Sequence, residues 1–143
     1  INFEDKLWVI PGHKMKRAIT HRIPLIDECF EILEALRPFK RSEDSYIFPS
    51  NTSKSGMLSD IPLSKTFKNA AGDKSVTVHG IRSCFKDWAA EIEEFVIPGI
   101  SEVTESALAH RLAKDETELA YLRSDLYQKR LKLMKKWEVF LMK

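Results

Sequence analysis

The stretch Thr77-Val78-His79-Gly80-Ile81-Arg82-Ser83-Cys84-Phe85-Lys86-Asp87-Trp88-Ala89-Ala90 constrains this chain more than any other. Ile81, Phe85, Trp88 and Ile92 recur at helical spacing, and at ~100° per residue they form one apolar stripe that must pack into a core. On the same wheel His79 and Arg82 lie ~60° apart and roughly 120° round from the stripe. Such a pair suits a phosphate, with Arg as a two-pronged donor and His as a single donor or proton carrier. An ordinary solvated helix edge shows the same spacing, so the pair needs support from elsewhere in the chain.

With 143 residues, 43% hydrophobic and 31% charged, the chain suits one soluble domain with a single core. No apolar run approaches a membrane span, and nothing at the start resembles a signal peptide. Cys29 and Cys84 each fall in a helix-like pattern and are expected as buried reduced thiols of a cytoplasmic protein. The formal charge of +2 identifies no partner, but its distribution is uneven. Lys14, Lys16, Arg17 and Arg22 crowd the start, and Lys129, Arg130, Lys132, Lys135 and Lys136 crowd the end. Glu91, Glu93, Glu94, Glu102 and Glu105 lie between, a pattern that predicts a basic side.

In order, Leu7-Trp8-Val9-Ile10 and Arg22-Ile23-Pro24-Leu25 read as two short strands of a hairpin, linked by the basic segment from Pro11 to His21. Asp27 is expected to cap a helix to Leu36, with Cys29, Phe30, Leu33 and Leu36 inward and Pro38 stopping it. Ser59 or Asp60 caps a second helix closed by Gly72. After the His79 helix and the Pro98-Gly99 turn, Ser101 caps Glu102 to about Leu112. Asp115 and Glu118 form a capping-box pattern for a brief helix ending near Arg123. Ser124 starts the last helix, in which Leu126, Arg130, Met134, Trp137 and Leu141 share a stripe. That stripe packs on its own domain or on a neighbouring subunit. The pattern is α+β and mainly helical, with a small antiparallel sheet near the start. Four histidines offer no compact ligand spacing, so no metal is expected.

Trp8-Val9-Ile10-Pro11 through Lys14-Met15-Lys16, His21-Arg22-Ile23-Pro24-Leu25, Thr77 to Arg82 with Asp87-Trp88-Ala89, Ala107-Leu108-Ala109-His110, and Ala120 to Asp125 with Lys129-Arg130 stand in one order along nearly the whole chain. In this it resembles the catalytic domain of tyrosine recombinases, the integrase type of temperate phages and genomic islands. The resemblance implies that residues 1–143 are one partial catalytic domain of that fold, acting in integration and excision of a mobile element. It makes Tyr121, eleven positions after His110, the nucleophile. Tyr127, six residues later, falls in an amphipathic helix and reads as a packing residue.

The implied reaction is attack of a tyrosine hydroxyl on a DNA phosphodiester, giving a covalent 3′-phosphotyrosine and a free 5′-hydroxyl. Rejoining then needs no nucleotide cofactor and no metal. A phenol with a reference pKa of ~10 is a poor nucleophile, so the surroundings must activate it. Arg82 and His110 would hold the non-bridging oxygens, and His79 would accept the tyrosine proton or share that binding. Lys16, or alternatively Lys14, would protonate the leaving 5′-oxygen. Lys14, Arg17 and Arg22 would bind double-stranded DNA at attachment sites, where further protomers assemble. The family also uses an arginine on a helix upstream of the first strands. The sequence starts beyond that position, without an initiating Met, so an N-terminally truncated and inactive fragment is expected. Two other readings stay open: a type IB topoisomerase-like relaxer, and a non-catalytic DNA-binding or subunit-contact module.

Overall fold

The structure, a computed structural model, describes residues 1–16, 18–42, 45–92, 96–110 and 124–143. Among them lie a two-stranded antiparallel sheet, β1 (Leu7–Ile10) and β2 (His21–Pro24), and five α-helices. The helices are α1 (Asp27–Leu36), α2 (Asp60–Ala71), α3 (Gly80–Ala90), α4 (Ile100–Ala107) and α5 (Tyr127–Leu141). Helix dominates, an arrangement compatible with α+β. The expected hairpin is present, with its second strand one residue earlier than Arg22–Leu25, and the register pairs Leu7 with Pro24 and Ile10 with His21. The brief helix expected over residues 115–123 lies outside the described residues. The chain divides into two compact units, Ile1–Phe30 with Phe85–Lys143, and Glu31–Cys84.

The first unit holds the core. Phe85, Ala89, Ile97, Ile100, Val103, Leu133 and Trp137 form one buried cluster, with Trp88, Ile92 and Met134 packed against it. Val103 and Leu133 have no exposed surface, and each such side chain contributes ~1.5–3 kcal/mol. Phe85, Trp88, Trp137 and Phe140 stack around this cluster, with Trp88 and Trp137 centroids 4.9 Å apart. The last helix therefore packs in cis, against α4 and β2. Its stripe ends early: Leu133 replaces Leu141 as the inward residue, and Leu141 is exposed.

Several helix ends depart from the capping expected of them. Asp27 gives its carboxylate to Lys6 at 2.7 Å instead of capping α1. The first-turn N–H of Glu28 donates to Glu138 Oε1 of α5 at 2.7 Å, so a distant carboxylate closes this helix start. Helix α4 begins at Ile100, before Ser101, and ends at Ala107, short of Leu112. Cys29 and Cys84 are free and exposed, not buried, and α1 has no fully buried residue.

The second unit contains α2, whose end is closed as expected by Gly72 at φ 65°, a conformation glycine adopts without steric cost. Ser59 stands at its N-cap position, but its hydroxyl makes no capping bond. Among its described residues, none is fully buried. Tyr46, Phe48, Ile61 and Leu63 are all at least half exposed.

Candidate active site

His110 is placed by the way α4 ends. Ala109 takes a left-handed φ of 55°, its N–H donates to the Ser106 carbonyl at 3.1 Å, and the His110 N–H donates to the Glu105 carbonyl at 2.8 Å. This pair of bonds is a Schellman motif, which folds the residue after the left-handed position back over the last turn. His110 Nδ1 consequently lies 2.6 Å from Glu105 Oε2. The other oxygen of Glu105 meets Lys86 Nζ on α3. The Lys86 ammonium first and the His110 contact second hold the Glu105 carboxyl below its ordinary range, against a smaller opposing effect of burial than that of Lys86. These contacts favour the ionised, hydrogen-accepting form of Glu105.

Glu105 and Lys86 were not among the residues expected from the sequence. Five positions separate Glu105 from His110, which is off register for a continuous helix. Only the stop at Ala107 brings them together, and alanine where glycine is usual hides that stop.

A second ion network joins β2 to the start of α5. Arg22 holds Asp125 with two bonds, Nε to Oδ2 at 2.7 Å and Nη2 to Oδ1 at 2.8 Å. Arg130, only 1% exposed, donates to the Asp125 carbonyl at 2.7 Å, to its carboxylate at 3.0 Å and to the Arg22 carbonyl at 2.5 Å. Ser106 Oγ donates to the same Asp125 carbonyl at 3.2 Å. The Arg22 bond, more than the nearby Arg130 charge, lowers the Asp125 pKa. Burial lowers that of Arg130 and, with the Arg130 charge, that of His21. Tyr127 starts α5 half-buried, with the Arg22 guanidinium 4.7 Å from its ring centre and that of Arg130 5.9 Å away. Its ring lies near both cations.

Arg22 is therefore spent first on Asp125, and a DNA phosphate would have to compete with that carboxylate. The C-terminal basic cluster is likewise partly structural. Arg130 is buried, Lys129 donates to the Pro98 carbonyl at 2.7 Å and Lys132 to that of Val96 at 2.6 Å. Lys14 and Lys16 are exposed, Lys14 in a short 3-10 turn over Gly12–Lys14 and Lys16 just beyond it. That link folds back tightly: a Cβ on Gly12 would lie 2.4 Å from the Ala18 carbonyl oxygen.

His79 and Arg82 belong to the second unit and are exposed. Helix α3 starts at Gly80, so His79 stands one residue before it rather than on its wheel. Thr77 Oγ1 accepts the Gly80 N–H at 2.9 Å, and the His79 carbonyl accepts the Arg82 N–H at 3.0 Å. These bonds occupy first-turn amides that would otherwise face an anion, leaving phosphate binding here to side chains. Arg17 and Tyr121 lie outside the described residues. Among the described residues, no group of three His, Cys, Asp or Glu side chains could hold a metal ion, and no helix is long and apolar enough to cross a membrane.

Comparison with known proteins supports an integrase-family relationship for this chain. The relative is prophage integrase IntA of Escherichia coli (strain K12), 33% identical over 137 residues, which is 96% of this chain. The chain spans about a third of that protein's length (32%). No family model matches, and no solved structure matches.

Proposed function

We propose that the protein is a tyrosine recombinase acting in site-specific DNA recombination of a mobile element, and that the chain corresponds to part of that family's catalytic domain. The likeness to a prophage integrase along 96% of the chain carries this reading. The oriented His110 adds support from geometry.

In the proposed reaction the Tyr121 oxygen forms a bond to the scissile phosphorus while the bond to the 5′-oxygen breaks. The tyrosine proton passes to His79, and Lys16 on the hairpin link, or Lys14 beside it, gives a proton to the departing oxygen. Arg82 and His110 bind the non-bridging oxygens as charge builds on them. Lys14 and Arg17 grip the flanking backbone of double-stranded DNA at an attachment site, joined by Arg22 if it exchanges Asp125 for phosphate. Further protomers assemble on the same DNA. Reversal restores the phosphodiester with no external energy source, because the bond energy stays in the ester.

A nicked suicide substrate carrying candidate attachment sites tests the proposal. In the full-length form of the protein, a covalent protein–DNA complex surviving denaturation is expected at those sites. Binding without any covalent complex would favour a non-catalytic module, and cleavage without site preference would favour a relaxing enzyme.

A further inference from the structure

Resting on the recombinase reading, we infer that Glu105 is the positioning residue for His110: it holds the imidazole by Nδ1–H and so sets the tautomer and orientation with which His110 meets the DNA phosphate. Three observations carry this. The Schellman end of α4 returns His110 over Glu105 by backbone geometry alone, through the 2.8 Å bond from the His110 N–H to the Glu105 carbonyl. The side chains then meet at 2.6 Å, a length typical of a charge-assisted bond. Finally, Lys86 from α3 takes the second oxygen of Glu105, so the carboxylate is itself fixed from an independent element.

An imidazole gripped at one nitrogen by an anchored carboxylate loses rotational freedom and tautomeric choice together. A neutral ring keeps its hydrogen on Nδ1, leaving a lone pair at Nε2, whereas a protonated ring donates from Nε2. Either way Nδ1 is the atom turned to Glu105. The same chemistry orients metal-bound histidines elsewhere, where loss of the outer partner costs about 10- to 100-fold in metal affinity or activity.

Two measurements on the full-length form decide the matter. Long-range nitrogen–proton spectra of histidine-labelled protein should show neutral His110 protonated on Nδ1, shifting toward the Nε2–H tautomer in Glu105→Ala. Rates of covalent complex formation at saturating DNA should fall about 10- to 100-fold in Glu105→Ala with unchanged DNA affinity. Glu105→Gln, which keeps an acceptor, should recover part of that loss. In a His110→Ala background Glu105→Ala should cost nothing further. A neutral His110 carrying its hydrogen on Nε2 would overturn the assignment, as would an undiminished effect of Glu105→Ala without His110. Complete absence of covalent complex in the unaltered protein would instead sink the recombinase reading, while the tautomer would still decide whether Glu105 governs His110.

Discussion

The Arg130 guanidinium lies within the fold and donates to both the carbonyl and the carboxylate of Asp125, at 2.7 and 3.0 Å, tying the start of α5 to the chain just before it. Its third bond, to the Arg22 carbonyl, adds strand β2 to the same knot. Arg130→Met should therefore lose about 3–5 kcal/mol, because Asp125 and two carbonyls lose a buried donor. Arg22→Met should lose clearly less, as its pair is partly solvated and such pairs contribute ~0–1 kcal/mol. Urea denaturation of both variants checks the ranking.

Acid should weaken the first unit in two stages. Burial and the Arg130 charge depress the His21 pKa, so the unfolded chain binds a proton more readily than the folded one. The stability this neutral imidazole contributes is present above the ordinary histidine range, about 6.5, and falls as pH drops through it. Asp125 and Glu105 are depressed carboxyls whose contributions are full above the usual carboxylate range. They are lost as pH falls through the still lower folded values. Thermal unfolding between pH 8 and 3 should show a first decline that vanishes in His21→Gln and a second that persists.

Ala109 occupies a left-handed position at φ 55° that costs an L-residue ~1–2 kcal/mol. Ala109→Gly should raise stability by about 0.5–1 kcal/mol after the greater entropy of the unfolded glycine is subtracted. Calorimetry would detect this as an upward shift in the unfolding midpoint. A loss instead would mean that His110 is not held by the turn described.

Gly12→Ala should have the opposite sign. The new methyl would press on the Ala18 carbonyl, a backbone atom that cannot swing aside, and overpacking of this kind costs about 1–3 kcal/mol. Chemical denaturation gives the cost.

The hairpin, the helix from Asp27 to Leu36 and the Gly72 stop were legible because period and punctuation act locally. The Phe85–Trp88 stripe was legible too, although Ile81, its first member, is 39% exposed. What the sequence could not supply were partners fixed at long range. Glu138 capping α1 lies 110 positions from Glu28, and no spacing rule reaches that far. Arg130 reads as one cation in a basic run, yet its burial depends on Asp125 and a strand carbonyl. For the candidate site, His79 and Arg82 were paired by helical spacing, whereas Lys14, Lys16 and His110 were read from family pattern. The Glu105 contact depended on a helix stop that alanine concealed.

The most direct measurement concerns the nucleophile. Tyr121→Phe and Tyr127→Phe each remove one hydroxyl from the full-length form, and each variant is incubated with the suicide substrate and resolved on a denaturing gel. Tyr121→Phe should abolish the covalent complex while leaving DNA binding intact. Tyr127→Phe, altering a ring that lies near Arg22 and Arg130, should retain it. Survival of the covalent complex in Tyr121→Phe, with its loss in Tyr127→Phe, would contradict the assignment.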